Sequence, residues 1–347
     1  MDKATPTPLF PSTRREFLQL SGRGLGLLAF SRFAPALLVN SARAAPRAPE
    51  RDRSILVLVQ LAGGNDGLNT LVPYEDANYY RLRPTLGIPK GKVLRVSDAL
   101  GLHPSCAALH RLLQDGKLAV VQNVGYPNPN RSHSRSSEIW TTASNSHEFL
   151  ATRWTERFLA HDHAGQAVTN GFRGNGRAAA DCQPLATYPG NPFAALLRDV
   201  AARIAAGQPT RVYSVSLAGF DTHSHQANQH AYLLTTLSEG LAAFQQDLEL
   251  HQLAGQVTTM TFSEFGRRPG ENESRGTDHG TAAPLFVLGS RVKGGLYGKA
   301  PALDLAPNQD LTYSTDFRSV YATLLDRWLD CPSETILGGK FAELPIV

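Results

Sequence analysis

The stretch RVYSVSLAGFDTHSHQ, residues 211–226, joins the pattern of a strand to a loop rich in possible metal ligands. Apolar residues alternate with polar ones through Arg211–Leu217, which predicts a strand. In open α/β sheets, ligands bind outside the carboxyl ends of the strands, where the following loop lies. That loop carries the carboxylate of Asp221 and the imidazoles of His223 and His225, which are ligand types that bind Zn²⁺. The stretch therefore predicts a metal-binding loop at a sheet edge.

Apolar runs and amphipathic segments alternate along the rest of the chain. Ser54–Leu61 (SILVLVQL) is continuously apolar with β-branched members, as in a strand that is buried on both faces. The alternation predicts an α/β fold with a mainly parallel central sheet and helices on both faces. The further predicted strands are Lys117–Asn123, Gln256–Phe262 and Pro284–Gly289, with a hairpin strand in Val292–Gly298, and the predicted helices are Ser105–Asp115, Glu148–His161, Asn191–Ala206, Ala227–Leu253 and Asp316–Leu329.

Residues 1–44 read as a twin-arginine signal peptide. The segment Thr13–Leu18 (TRREFL) carries the paired arginines, and an apolar stretch leads to the cleavage site Ala42–Ala44 (ARA). Arg23 and Arg32 interrupt the apolar stretch, so we expect no stable membrane anchor after cleavage. The expected organisation is a signal peptide at 1–44 and a single domain at 45–347. The twin-arginine export machinery would carry the protein, folded, to the periplasm or out of the cell.

The charge balance excludes an electrostatic case for nucleic-acid binding. The chain has 34 basic and 30 acidic residues, and six of the basic and two of the acidic ones lie in residues 1–44. The mature chain therefore carries 28 of each and is formally neutral, so no nucleic-acid partner is expected. Three cysteines, Cys106, Cys182 and Cys331, allow at most one disulfide, and isolated packing cysteines are an equal alternative.

Polar side chains follow the other predicted strands as well. Asp66 ends the turn AGGNDG after the first strand, Ser132 precedes a predicted helix start, and Glu264 directly follows Gln256–Phe262. His279 lies just before the next strand and could join them by loop placement. Each has a plainer interpretation, since Asn-Asp-Gly is ordinary turn chemistry and a serine before a helix is a common cap. Their shared position at strand ends nevertheless predicts one site.

Five motifs in order carry a resemblance to a known family. They are GGNDGLNTLVP at 63–73, NRSHSRSSEIW at 130–140, GFDTHSHQ at 219–226, SEFGR at 263–267 and GTDHG at 276–280. This set resembles a large bacterial family of exported proteins of unknown function with twin-arginine leaders. That family in turn is similar to the alkaline phosphatase and sulfatase superfamily, and the resemblance extends over nearly the whole mature chain.

The resemblance implies an alkaline phosphatase-like fold and a hydrolase of phosphate or sulfate esters, with a small-molecule or polysaccharide ester as substrate. It implies Ser132 as nucleophile and one or two divalent metals, with zinc expected and manganese, magnesium or calcium as alternatives. The spacing Asp-x-x-x-His selects Asp221 and His225, which with His279 would make one site. The metal ligands implied by the resemblance are Asp66, Asp221, His225, Glu264 and His279, with Asp66, Glu264 and Ser132 forming a second, oxygen-rich site.

Other side chains around these motifs have supporting roles. His223 is a candidate ligand, acid or partner of a ligand, and Arg135 and Arg267 are candidate anion clamps. For His103 and His133, a structural role is the default expectation. Phe265 stands where the superfamily usually has a histidine.

Two other functions compete with the hydrolase. The lost histidine at Phe265 motivates a non-catalytic exported binding protein with a degraded metal site. The block Gly64-Asn65-Asp66 resembles one in Gly-Asp-Ser-type esterases, but that fold needs a nucleophile block before it and a late Asp-x-x-His. Neither order is met, so the esterase is the weaker alternative.

Overall fold

The computed structural model describes residues 53–162, the backbone of 167 and 168, and residues 182–347. These residues belong to one compact unit, Asp52–Val347. The predicted signal peptide lies outside the described residues and stays a prediction. Within the described part of the chain, no helix is long and apolar enough to cross a membrane. All three cysteines are free there.

A mainly parallel eight-stranded sheet forms the centre of the molecule. Seven strands follow in the order β10-β5-β9-β8-β1-β7-β6, and β11 pairs with β5 outside this order. Only β9 is antiparallel, to both β5 and β8. The strands are β1 Ile55–Ala62, β5 Leu118–Gly125, β6 Ala167–Val168, β7 Val212–Ala218, β8 Val257–Phe262, β9 Ala283–Leu288, β10 Gly295–Tyr297 and β11 Thr315–Asp316, and a small sheet holds β2 Leu71–Val72, β3 Leu94–Arg95 and β4 Gly101–Leu102.

Helices cover both faces of the central sheet, because alternate residues of the buried strands are apolar on each side. Val57 and Val59 of β1 pack with α3, α6 and α7 on one face, and Leu56 and Leu58 pack with α4, α5 and α8 on the other. The helices are α1 Gly67–Thr70, α2 Ala77–Leu82, α3 Ala107–Gln114, α4 His133–Thr142, α5 Trp154–Asp162, α6 Pro192–Ala205, α7 Gln226–Leu250, α8 Phe317–Thr323 and α9 Ser333–Leu337, with 3₁₀ turns at Pro104–Cys106 and Ala254–Gln256 and a π-helical turn at Leu324–Trp328. The predicted α/β class is confirmed.

The strand directions gather the polar loops at one edge. The carboxyl ends of β1, β5, β7 and β8 meet there, because these strands run parallel within the sheet. Since β9 runs the opposite way, the loop before β9 reaches the same edge, and this loop contains His279. Residues 266–268 and 278–280 pair antiparallel. The backbone N–H of Arg268 donates to the carbonyl of Asp278, and that of Gly280 donates to the carbonyl of Gly266. That pairing places Arg267 beside His279.

Candidate metal centre

The carboxylate of Asp221 lies at the centre of a group of three imidazoles. Its Oδ1 is 3.0 Å from His223 Nε2 and 3.1 Å from His279 Nε2, and its Oδ2 is 3.4 Å from His133 Nε2. The Nε2 atoms of His223 and His279 are 2.9 Å apart. The donor atoms of His133, Asp221 and His279 also all lie within 4.8 Å of one another, which is close enough to share one metal ion.

The outer nitrogen of each imidazole faces an acceptor. His279 Nδ1 is 2.9 Å from the carbonyl oxygen of Arg131, and His133 Nδ1 is 2.9 Å from Glu264 Oε1. A carbonyl oxygen only accepts, so the Nδ1 of His279 carries a proton, and an ionised Glu264 requires the same of His133. His223 Nδ1 faces Asp278 Oδ1 at 3.6 Å, beyond hydrogen-bonding distance. This is the arrangement in which an acceptor fixes the tautomer of a metal-ligating histidine.

The inner nitrogens fit a shared cation. Two Nε2 atoms at 2.9 Å cannot both carry a hydrogen directed at the other, so at least one of them presents a lone pair to its neighbour. Zinc bonds in tetrahedral geometry separate ligand atoms by about 3.4 Å. The separations of 2.9 to 3.4 Å in this group come close to that value. Three imidazoles and one carboxylate are a nitrogen-rich donor set, which favours zinc over magnesium or calcium.

A buried guanidinium, that of Arg267, holds Asp221 in its ionised form. Burial alone raises the pKa of Asp221, but the hydrogen bonds from Arg267 and His279, together with the charge of Arg267, outweigh burial and hold the pKa at about 2. Arg267 Nη2 lies 2.7 Å from Asp221 Oδ1. The carboxylate therefore stays charged at any ordinary pH, as a metal ligand must.

Arg267 also ties together the strand ends that carry the site. Its Nε donates to the carbonyl of Gly64 and its Nη1 to that of Thr277, both at 2.8 Å, and its Nη2 donates to the carbonyls of Gly63 and Phe220. The backbones approach closely here: a Cβ on Gly63 (φ 122°) would lie 2.3 Å from the amide nitrogen of Asp221, so only glycine fits. With its donors engaged, Arg267 is not the anion clamp that the sequence predicted.

Asp66, which the sequence predicts as a metal ligand, is paired with a guanidinium in this structure. Arg83 donates to both of its oxygens, from Nη2 to Oδ1 at 2.9 Å and from Nη1 to Oδ2 at 2.5 Å, and both side chains are fully buried. Gln226 Nε2 donates to Oδ2 as well. Burial raises the pKa of Asp66, but the charge and hydrogen bonds of Arg83 lower it below the usual range. The guanidinium of Arg83 therefore compensates the negative charge of Asp66, where the sequence predicts a metal ion.

His225 and Glu264, which the sequence also predicts as ligands, have different surroundings. Residue 225 has a left-handed backbone (φ 46°) where α7 begins, its side chain is exposed, and it lies outside the imidazole group. His223, two residues earlier, lies in that group instead. Glu264 Oε1 accepts from the amide of Gly63 at 2.8 Å and faces His133 Nδ1, so this oxygen is engaged within the protein. The structure brings Asp221 and His279 together as the sequence predicted.

Ser132 lies between two residues that contact the imidazole group. The carbonyl of Arg131 faces His279, and His133 contributes its own ring. Ser132 precedes α4 and is exposed, and its side chain accepts no hydrogen bond from the backbone N–H groups of the helix, so it does not cap the helix in this structure. Its Oγ is 3.1 Å from Ser134 Oγ.

Arg135, the other predicted anion clamp, has a structural contact instead. It donates to the carbonyls of Ser146 and Glu148, pairs with Glu138, and stacks 3.9 Å over the ring of Phe149. It thereby fastens the loop after α4, and these contacts do not point to the predicted role as an anion clamp.

Sequence reasoning missed the role of His133. Its ring is 4.5 Å from that of His279 and 4.9 Å from that of Phe265, measured between centroids. Phe265 also lies 4.4 Å from His279, so the residue in place of a usual histidine packs the two imidazoles against each other. The signal was present in the sequence, because His133 directly follows the candidate nucleophile in NRSHSRSS.

The fold and the site together define an α/β protein with a nitrogen-rich candidate metal centre at the carboxyl edge of a mainly parallel sheet. Residues 183–327 match a family described as "Protein of unknown function (DUF1501)". The predicted resemblance to a family of unknown function is confirmed over this part of the chain. No curated protein has a sequence that matches this one.

Solved structures that resemble the chain come from several bacterial proteins. The C-terminal periplasmic domain of EcEptC from Escherichia coli, in complex with Zn, is 12% identical with a TM-score of 0.42, covering 70% of this chain and 75% of that one. A protein in the alkaline phosphatase superfamily from Vibrio parahaemolyticus is 12% identical with a TM-score of 0.41, covering 83% and 67%. The lipoteichoic acid synthase LtaP from Listeria monocytogenes is 9% identical with a TM-score of 0.37, covering 76% and 72%. At these identities the likeness concerns the fold alone.

Proposed function

We propose that this protein is an exported, metal-dependent hydrolase of a phosphate or sulfate ester. One observation carries the proposal: three imidazoles direct Nε2 at Asp221, and two of them, those of His133 and His279, hydrogen-bond an acceptor through the outer nitrogen. A structural cluster of histidines has no need of this arrangement, whereas metal sites regularly use it. The export follows from the predicted signal peptide at residues 1–44.

Several side chains of the candidate metal centre would have distinct roles in such a reaction. His133, His223, His279 and Asp221 would hold the ion, and Glu264 would orient His133. A divalent ion bound there would neutralise charge on the ester oxygens and lower the pKa of a nearby hydroxyl. Because the side chains of His133, His223 and Asp221 are 42 to 47% exposed, the site is open to large substrates such as polysaccharide esters as well as small ones.

Ser132 is the nucleophile in this proposal. Its Oγ would bond to the phosphorus or sulfur of the ester while the bond to the alcohol oxygen breaks, and the alcohol would leave with the serine proton. Water would then cleave the seryl ester and restore the hydroxyl. The free N–H groups in the first turn of α4 favour negative charge at this position.

A non-catalytic binding protein is the second candidate. Asp66 and Glu264 are engaged with Arg83, Gly63 and His133, so two of the predicted metal ligands are committed elsewhere. A protein with this site could bind a metal, or an anion through a metal, without turning over an ester.

Metal analysis followed by activity measurements separates these candidates. We expect the purified full chain, incubated with zinc and then dialysed, to retain tightly bound metal. Less than one equivalent would refute the metal-dependent enzyme. The zinc-loaded protein is then assayed on aryl phosphates, phosphodiesters and aryl sulfates, with Ser132→Ala against Ser134→Ala as matched control. Loss of turnover in Ser132→Ala alone supports the nucleophile. Unchanged turnover in both variants removes Ser132 from that role, and no turnover in the wild type favours the binding protein.

A further inference from the structure

We infer that the candidate metal centre takes one divalent cation, and that the buried guanidiniums of Arg83 and Arg267 occupy the positions where a second cation would be held. The inference rests on the proposed function for the presence of the first metal. The sequence predicts a second, oxygen-rich metal site formed by Asp66, Glu264 and Ser132. We infer instead that only one metal binds and that arginine side chains supply the positive charge at the second position.

Arg83 leaves Asp66 no free oxygen for a metal. Both carboxylate oxygens accept from Arg83, and Gln226 adds a further hydrogen bond. Arg83 is itself fixed, since its Nε donates to the carbonyl of Pro269 at 2.7 Å and its Nη2 to that of Arg268 at 3.1 Å. Asn69 Oδ1 accepts from Nη1 as a fourth group, so a metal at Asp66 would have to expel a buried guanidinium from four acceptor groups and leave it without a counter-charge, which is strongly unfavourable.

The second guanidinium stands directly beside the proposed ion. Arg267 donates to Asp221 Oδ1 and to the carbonyls of Gly63, Gly64, Phe220 and Thr277. Backbone carbonyls and a carboxylate would otherwise make an oxygen cage for a hard cation. Arg267 fills that cage with a permanent positive charge, because a guanidinium does not lose its proton in proteins. Repulsion from this charge at close range disfavours another ion there.

Glu264 cannot form a second site by itself. Its Oε1 is committed to Gly63 and His133, and only Oε2 has no partner. One carboxylate oxygen is too few ligands for a tightly held divalent ion. The described residues accordingly hold one candidate group of metal ligands, the group around Asp221.

Counting the metal tests the inference with a readout that does not depend on activity. Apo protein, prepared from the full chain with a chelator, is titrated with zinc in a calorimeter, and the bound metal is counted after dialysis. We expect one equivalent for the wild type. Two tightly bound equivalents would overturn the inference and leave the proposed function standing. No bound metal would overturn both, so the two failures are distinguishable.

A double variant tests directly whether the Asp66–Arg83 pair takes part in metal binding. Asp66→Asn combined with Arg83→Met removes both charges at once, and we expect one equivalent of zinc with an affinity within about threefold of the wild type. His279→Ala, which removes a proposed ligand, is the matched control and should lose tight binding. A loss of binding in the double variant comparable to that in His279→Ala would assign Asp66 to the metal and overturn the inference. If the double variant does not fold, as judged by circular dichroism, the wild-type count and the single variant Asp66→Asn decide in the same way.

Discussion

Asp66 and Asp221 follow adjacent parallel strands, β1 and β7, yet the structure gives the two carboxylates opposite surroundings. Asp66 is fully buried against Arg83, whereas the side chain of Asp221 is 47% exposed and faces three imidazoles. A buried carboxylate needs a permanent counter-charge from within the protein, and a half-exposed one can exchange its partners with solvent. The comparison teaches that position at a strand end brings a side chain to the site, while its neighbours decide whether it stabilises the fold or binds a ligand.

Removal of one partner from the buried pair should give the largest effect. Arg83→Met leaves the charge of Asp66 buried without compensation, so we expect the free energy of unfolding to fall by about 3–5 kcal/mol. Urea unfolding followed by circular dichroism measures the change. Lys90→Met, at an exposed ion pair with Glu75, is the matched control and should cost less than about 1 kcal/mol. Equal small effects in both variants would contradict the structural role of Arg83.

The buried histidines near Asp66, His103 and His230, should make the free energy of unfolding depend on pH. Burial lowers the pKa of His103 and of His230 to about 4. Because the unfolded chain binds these protons near pH 6.5, it gains protons before the folded chain does as the pH falls. The free energy of unfolding should therefore be highest above about pH 6.5 and should fall as the pH decreases to about 4, by roughly 3 kcal/mol for each histidine.

Denaturant unfolding of the metal-free protein between pH 7 and pH 4 measures this slope. His230→Gln should remove about half of it, and the exposed His225→Gln should leave it unchanged. A slope that is the same in His230→Gln and in the wild type would show that His230 is not buried in its neutral form.

On the exposed side, Asp221→Asn should separate binding from stability. The amide keeps an oxygen acceptor for Arg267 but loses the charge that holds a metal, so we expect zinc affinity to fall at least about 100-fold, or about 2.7 kcal/mol. The free energy of unfolding of the metal-free protein should fall by less than in Arg83→Met, because Asp221 is half exposed and Arg267 keeps its four carbonyl acceptors. Competition titration with a zinc-binding dye and urea unfolding give the two numbers. A stability loss as large as that of Arg83→Met, with zinc affinity retained, would reverse the assignment of the two carboxylates.

Glu264→Gln should give the smallest change. Glutamine keeps an acceptor for Gly63 and His133 but removes the charge that makes His133 a stronger ligand, so we expect zinc affinity to fall by about 10-fold. The control is Glu271→Gln, whose carboxylate accepts the backbone amides of Thr85 and Leu86 and should leave zinc affinity unchanged. Equal affinities in the two variants would remove Glu264 from its positioning role.

The fold was predictable from the sequence because burial leaves a strong periodic pattern. The apolar runs of Ser54–Leu61 and Arg211–Leu217 became β1 and β7 with ends displaced by one residue. The collection of loops at one edge followed from the parallel strands. The sequence also predicts that His279 can join this edge through its loop. The structure places His279 there because β9 runs antiparallel to its neighbours, so the loop before β9 lies at this edge.

The partners of the charged groups were not predictable in the same way. Arg83 lies 17 residues after Asp66, at the end of the short helix α2, and no periodicity marks it as a buried counter-charge. The choice of His225 over His223 followed a spacing, and the left-handed backbone at residue 225 is a local feature that the spacing does not encode. His133 was underestimated since a single histidine near a helix start has many ordinary roles.

The four carbonyls and the carboxylate that accept from Arg267 have a consequence for the proposed metal site. They join the ends of β1 and β7 and the loop before β9 through a cation that is part of the chain, so the ligand loops are preorganised before any ion arrives. Free energy from metal binding is then not spent on ordering these loops. Under the proposed function, apo and metal-loaded protein should therefore share one backbone conformation, as suits the predicted export of an already folded chain.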